Sequence, residues 1–517
     1  MDKRFDIIIP IDERESEYAV IIDGLFMYRE NSSVYESAKS FLIEFVNSKH
    51  DFNECYGAFR FSMIRKDTGE EVHFSDNSGM MRFYINQKSN NMFRSLSEAM
   101  PMEEREPNYA AIAQFLCFGC VYGYETIIES VYLSDPNCYY LYYNGRIVKK
   151  TKGLYAISEY EKNHISLNTL IRKAIAHCDG KIGCTVTGGI DSRSVLANLV
   201  SIGAKPDLFI TGHEPQPDVE IAKTISAQLG LPLTIVSDDI EESTWLEHST
   251  EAADGQDGIC GIYRLDKLAR LLKREGITLQ FGGVAGELYK NSFINQDFPL
   301  YYGRPRWDRF YKFKVGTFDI HRSLFEKMVR DEIEKVPTVI TEWLNSHDGK
   351  NKAEAYLNAG YEIMQARCNH VINMFQRFTT VYNPLMERKM AAYAYGKNPY
   401  VLEMQAFQRR EVSQHCDIIK NIKTDRGLTC NYDRRAAEFI KSNLFLLKVA
   451  MQRILLRSDI DIRIDRCFEI GHKSTEFTKA LINTQRLGIV SNKNNTYEIP
   501  TGLADRLFTL GLMFEGE

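Results

Sequence analysis

Lys181 to Arg193, KIGCTVTGGIDSR, decides how the chain is read. Ile182, Cys184 and Val186 make a short apolar run that suits a strand buried on both faces of a parallel sheet. Gly188 and Gly189 then permit a sharp turn and a close approach of backbone to a ligand. Ser192 to Val200 (SRSVLANLV) reads as a helix whose free amides and positive dipole end point back at that turn. The stretch predicts an anion seat. It is not the GxxxxGK[ST] phosphate loop, because no lysine precedes Ser192 and the glycines are adjacent. A glycine-rich turn that binds nothing is the plain alternative.

Outward from this stretch the pattern differs on the two sides. Toward the carboxyl end strands and helices alternate: Asp207 to Thr211 is a strand, Val219 to Leu229 a helix closed by Gly230, Pro232 to Ser237 a third strand, and Thr278 to Gln280 the end of another. Alternation of this kind predicts an α/β fold, a parallel sheet with helices on both faces over residues 156–517, ending in a helical extension with a pattern at Ala436 to Leu456. Toward the amino end, residues 1–155 read mostly as strands: Phe5 to Ile9, Ala19 to Ile22, Tyr56 to Ile64, Glu71 to Phe74, Met81 to Ile85, Ile127 to Leu133 and Tyr139 to Tyr143. With helices only near Ser37 to Val46 and Tyr109 to Cys117, an antiparallel, β-sandwich-like domain is expected there.

Composition narrows the function classes. The chain has 517 residues and a net charge of −5, which argues against a general nucleic-acid binder. Eleven cysteines without framework spacing read as reduced thiols, and the one CxxC, Cys117 to Cys120, ends an apolar helical stretch and reads as core. No apolar run reaches membrane-spanning length and no signal peptide is evident, so a cytoplasmic location without membrane partners is expected. Oligomeric state, a homo-oligomer included, is left open. Leu300 to Lys314 (LYYGRPRWDRFYKFK) interleaves aromatics with basic residues; Trp307, Phe310 and Phe313 at helical spacing favour a lid or docking helix over base stacking.

Thr187-Gly188-Gly189-Ile190-Asp191-Ser192 resembles the SGGxDS loop of the N-type ATP pyrophosphatases, with Thr for the first Ser. That resemblance implies that Thr187, Gly188, Gly189, Asp191 and Ser192 grip the β and γ phosphates of ATP, leaving the α phosphorus open, with Asp191 a magnesium ligand. Strand ends line the crevice of such a sheet, so backbone of Ile210, Thr211 and Gly212 is expected beside the adenosine. Phe281 to Tyr289 (FGGVAGELY) is similar to the SGxGxDELF turn of the asparagine synthetase family, bringing Gly282 and Gly283 to the nucleotide. There Gly286 stands where the family has Asp, so Glu287 is read either as a second Mg2+ ligand or as the acid/base for an incoming amine. Phe375 to Tyr400 resembles the family's RxPFLD segment, placing Arg377 and Arg388 to approach phosphate or carboxylate. Ile418 to Asn431 (IIKNIKTDRGLTCN) resembles the loop carrying the catalytic lysine, with Lys423 the first choice and Arg426 the second.

Two amino-terminal segments, Tyr56 to Ile85 and Tyr122 to Val148, resemble class II glutamine amidotransferases. That family attacks glutamine with an amino-terminal cysteine. Here the sequence opens Met1-Asp2 and the nearest cysteine is Cys55, so a scaffold without glutaminase activity is expected. Together these resemblances imply an AMP- and pyrophosphate-forming amide ligase using ATP and Mg2+. Its substrate, a small molecule or peptide, would supply a carboxylate and an amine, as for β-lactam synthetases and lasso-peptide cyclases. The rivals are an enzyme adenylylating tRNA or a nucleobase, and an inactive member that binds nucleotide or peptide.

Overall fold

The computed structural model describes residues 4–10, 17–237, 239, 245–316, 322–444, 474–491, 499 and 501–514. Its amino-terminal part runs β1 (Arg4–Pro10), β2 (Glu17–Gly24), β3 (Met27–Tyr28), α1 (Val34–Val46), β4 (Cys55–Tyr56), β5 (Phe59–Arg65), β6 (Glu71–Ser75), β7 (Tyr84–Asn86), β8 (Asn91–Phe93), α2 (Leu96–Ala99), α3 (Tyr109–Phe118), β9 (Val131–Leu133), β10 (Cys138–Tyr143) and β11 (Arg146–Thr151). Antiparallel pairing gives a six-stranded sheet ordered β1-β2-β5-β6-β10-β11, a three-stranded sheet β8-β7-β9, and the short pair β3-β4. Alternation decides which face is buried: Phe59, Phe61 and Met63 of β5 and Phe74 of β6 are fully inside. Helix α1, capped where Ser33 accepts from the Glu36 amide, lays Ala38, Phe41 and Leu42 in the same cluster. Phe41 meets Phe61 and Phe74 at ring-centroid distances of 5.5 and 5.1 Å.

The rest runs α4 (Leu167–Ala176), β12 (Lys181–Thr185), α5 (Ile190–Ser201), β13 (Asp207–Thr211), α6 (Pro217–Leu229), β14 (Leu233–Val236), α7 (Trp245–Ala253), α8 (Ile259–Arg274), β15 (Ile277–Phe281), α9 (Trp307–Phe310), α10 (Lys327–Asn345), α11 (Lys352–Gln376), β16 (Thr380–Tyr382), α12 (Arg388–Tyr395), α13 (Pro399–Glu403), α14 (Ala406–His415), a helical stretch at 435–444, α15 (Thr475–Arg486) and α16 (Thr501–Met513). Five parallel strands are ordered β14-β13-β12-β15-β16. From β12 the chain first steps one way, to β13 and β14, and then crosses back to β15 and β16. Helix α5 packs on β12, α6 on β13 and β14, α8 on β13, β14 and β15, and α11 on β16; crossovers of the usual right hand running in opposite directions put such helices on opposite faces. The strand order therefore reverses between β12 and β15, where ligands of such sheets bind. Cys184, Leu208, Leu279 and Phe281 are fully buried, as strands covered on both faces require.

The expected α/β class, with antiparallel sheets first and a helical end, is what the chain adopts. The last antiparallel strand ends at Thr151 and helix-strand alternation begins at Leu167, yet one apolar core runs from Leu25 to Phe514 across that change. Polar ties join the two parts: Tyr84 donates to Asp254 at 2.6 Å, the Gly57 amide to Glu387 at 2.6 Å, and Lys389 to Glu54 at 2.6 Å. Helix α16 caps α8 from outside, Asp505 accepting from the Cys260 and Gly261 amides. Of the pattern expected at Ala436 to Leu456, the described part, 435–444, is helical; 445–456 lie outside the described residues. Trp307 and Phe310 are inside, Phe310 stacking on Tyr356 at 5.1 Å, so α9 is packed, while Leu300, Tyr302 and Phe313 are exposed.

Candidate active site

Two turns meet where the strand order reverses. The first, Val186 to Gly189, leaves β12 for α5; the second, Gly282 to Ala285, leaves β15. Helix α5 begins at the Gly189 cap without any side-chain cap, so its leading amides face the turn. The Gly189 amide donates to Thr187 Oγ1 at 3.2 Å, and the Thr187 amide to Ser192 Oγ at 3.1 Å, which gives the turn its shape. A Cβ on Gly189 would meet only Thr187 Oγ1, leaving open space beyond, whereas one on Gly188 would overlap the Asp218 carboxylate. Gly188 is thus required by α6 and Gly189 is the position open to a ligand.

The second turn packs on the first. A Cβ on Gly283 would stand 2.6 Å from the Ser192 amide nitrogen, and one on Gly286 would overlap the Asp191 carboxyl. Asn383, at the end of β16, accepts from the Val284 amide at 3.4 Å and closes on Gly282. Ala285 holds a left-handed conformation at φ 70°, which turns the chain so that Glu287 and Lys290 come back toward Asp191.

Between the turns opens a cavity of about 690 Å³. Thr185, Thr187, Asp191, Ser192, Gln280 and Glu287 line its polar end; Leu268, Val284, Phe293, Met364, Val371 and Phe375 make apolar walls. That volume and mixture suit a nucleotide-sized organic ligand. Met364, Cys368, Val371 and Phe375 come from one face of α11 at helical spacing. Its other face, with His370, Asn373 and Arg377, lines a separate polar cavity of about 550 Å³ beside Arg60 and Asp254.

At the polar end Lys290 Nζ pairs with Asp191 Oδ2, and Gln408 Nε2 donates to Asp191 Oδ1 at 3.1 Å and to the Gly286 carbonyl at 2.9 Å. Burial, then the neighbouring Asp191 charge, pushes the Glu287 carboxyl above its ordinary range. Burial pulls the Lys290 ammonium down, but Asp191 and Glu287 outweigh it and hold its pKa above the usual value. Lys314, also on the cavity wall, is pulled down by burial to about 8.

The sequence-predicted residues are distributed as follows. Thr187, Asp191, Ser192, Gly282, Gly283 and Glu287 line the cavity. Gly188 and Gly189 flank it in the first turn. Ile210, Thr211 and Gly212 end β13, on the far side of β12 from β15, and do not contribute to the cavity lining; Gly212 instead donates to the Val236 carbonyl at 2.9 Å. Lys423 and Arg426 are exposed on the loop beside the first turn. The Arg426 charge is felt, weakly, by both Glu287 and Lys290. Arg377 pairs with Glu251 at 3.0 Å and Arg388 donates to the Tyr155 carbonyl at 2.7 Å, so neither reaches the crevice. Cys55 is buried in the amino-terminal core, its thiol pushed up by burial.

Three residues escaped sequence reading. Arg193 is fully buried and donates to the Gly188, Ile422 and Lys423 carbonyls at 3.0, 2.8 and 2.9 Å, fastening the late loop to the first turn. Its place directly after TGGIDS was the one available signal. Lys290 follows Glu287 by three residues, one helical turn, which hinted at the same face; Gln408 carried no signal at all.

Magnesium was expected on Asp191 and Glu287. Among the described residues no group of three or more His, Cys, Asp or Glu is assembled to hold a metal ion. Asp191 has both oxygens engaged, one by an ammonium and one by an amide, so the donor set does not fit a resident divalent ion. No protein-family model matches this chain, and no curated protein matches it.

Proposed function

We propose that the crevice binds ATP and that the protein is an AMP- and pyrophosphate-forming amide-bond ligase. One observation carries this reading: an uncapped helix start and the turn before it lie at the reversal of strand order, opening onto a cavity of nucleotide size. In the proposed arrangement the β and γ phosphates rest on the leading amides of α5. The α phosphorus then faces the cavity. A substrate carboxylate oxygen bonds to that phosphorus while the bond to the pyrophosphate oxygen breaks, giving an acyl-adenylate. An amine, on the same molecule or a second one, then bonds to the acyl carbon as the bond to AMP oxygen breaks. Glu287, its carboxyl raised above the ordinary range by burial and the Asp191 charge, suits the acceptance of the proton the amine loses.

Resemblance to the asparagine synthetase family supports the reaction class, and the buried, raised thiol of Cys55 supports an amine that does not come from glutamine hydrolysis at that residue. The occupied carboxylate favours one rival, a member that binds nucleotide without turnover. Mass spectrometry of the products with ATP and a panel of carboxylate and amine substrates separates the two. AMP with pyrophosphate supports the ligase, and its release should vanish in Asp191→Ala while the melting temperature is kept. ADP as product, or nucleotide bound with no AMP for any substrate, contradicts it.

A further inference from the structure

Paired carboxylates beside a polyphosphate seat ordinarily invite a divalent ion, and here the chain brings its own cation. Lys290 and Asp191 have side chains 16% and 17% exposed, so their attraction is only partly screened. Gln408 fixes the second Asp191 oxygen, and the absence of a side chain at Gly286 lets the Asp191 carboxyl lie against the turn. Glu287, on the same short helix as the turn's end, adds the second negative charge felt by the lysine. An ammonium has three hydrogens to donate; Asp191 uses one, which leaves donors for Glu287 and for a phosphate oxygen. A divalent ion brought to the same carboxylates would sit against a like charge at contact range.

We propose that Lys290 is a built-in counter-ion that takes the place of a divalent ion at Asp191 and Glu287, and that it bridges this pair to the polyphosphate of a bound nucleotide. The first half concerns the protein alone; the bridging rests on the nucleotide reading of the crevice. It makes Lys290 a positioning residue for the carboxylates and a direct ligand for phosphate.

The test uses the full chain and two readouts. Mn2+ is titrated without nucleotide, following free Mn2+ by electron paramagnetic resonance. Wild type and Lys290→Arg are expected to show only weak binding, while Lys290→Met gains one site at least about tenfold tighter, the carboxylates having lost their internal cation. Lys290→Gln, which keeps a hydrogen-bond donor without the charge, gives the same comparison if the methionine variant does not fold. A site of equal affinity in wild type and in the neutral variants overturns the counter-ion. Calorimetry with α,β-methylene-ATP in EDTA follows. Wild type is expected to bind, and the neutral variant to bind about tenfold more weakly, as for one lost charge-assisted hydrogen bond. Equal binding by both overturns the bridge and leaves the ligase standing; no binding by wild type with or without added Mg2+ overturns bridge and ligase together, while the Mn2+ result stands.

Discussion

The two turns that flank the crevice follow neighbouring strands and carry glycine pairs, but they owe their glycines to different neighbours. In the first, Gly189 faces open space and Gly188 is pressed by Asp218. In the second, Gly283 and the Gly286 that follows it are pressed by the first residues of α5, Ser192 and Asp191. The first turn is therefore the receiving surface and the second its backing. Each also has its own fastening: Arg193 bolts the first to the late loop, while Asn383 and Gln408 hold the second. The lesson is that glycines in a turn beside a cavity can be required by packing as well as by a ligand.

Breaking the first turn should cost most. Arg193→Met removes a buried guanidinium and strands three carbonyls, so stability is expected to fall by about 3 kcal/mol or more and pyrophosphate release to fall with it, read by thermal melting and a coupled assay. Breaking the second should act on chemistry more than on folding. Gly286→Ala forces Asp191 aside, with an expected loss of about 100-fold in pyrophosphate release and little change in melting temperature. A smaller effect distinguishes the loop cations: Arg426→Ala is expected to slow release about fivefold, an exposed charge being worth about 1 kcal/mol, and Lys423→Ala less. The reverse order would show that the loop closes over nucleotide and brings Lys423 inward.

A pH-dependent effect reaches the second turn from behind. Glu387 accepts from the Gly57 amide and from Tyr382, the residue before Asn383, and burial raises its carboxyl to about 8 from an ordinary 4.5. Between those values the folded protein keeps a proton that the unfolded chain has lost. Stability from this group is therefore full below pH 4.5 and is lost as pH rises to about 8. The melting temperature should decline over that window, and Glu387→Gln should flatten the decline.

Much of this was legible because it is local. Period-two alternation marked β5 and β6 with their buried Phe59, Phe61 and Phe74, and the strand at Asp207 to Thr211 appears with those bounds. TGGIDS gave the first turn whole. What stayed hidden depends on residues far apart in the chain. Gly188 is small because of Asp218, and Asp191 meets Gln408 across 217 positions. Ile210 to Gly212 were placed at the ligand because strand ends line such crevices, but the cavity opens toward β15 rather than β13. Strand order decides that, and a single sequence carries no signal for it. Likewise the RIVKKT strand, β11, gives no periodic signal of its own, because it is almost wholly exposed and lacks an apolar alternation.

The central claim is that the first turn seats a nucleotide polyphosphate, and calorimetric titration with α,β-methylene-ATP measures it most directly. One molecule should bind per chain, and binding should be lost when Gly189→Val fills the open side of the turn while the fold persists by circular dichroism. Binding by Gly189→Val as strong as by wild type, or no binding to wild type at all, would contradict it.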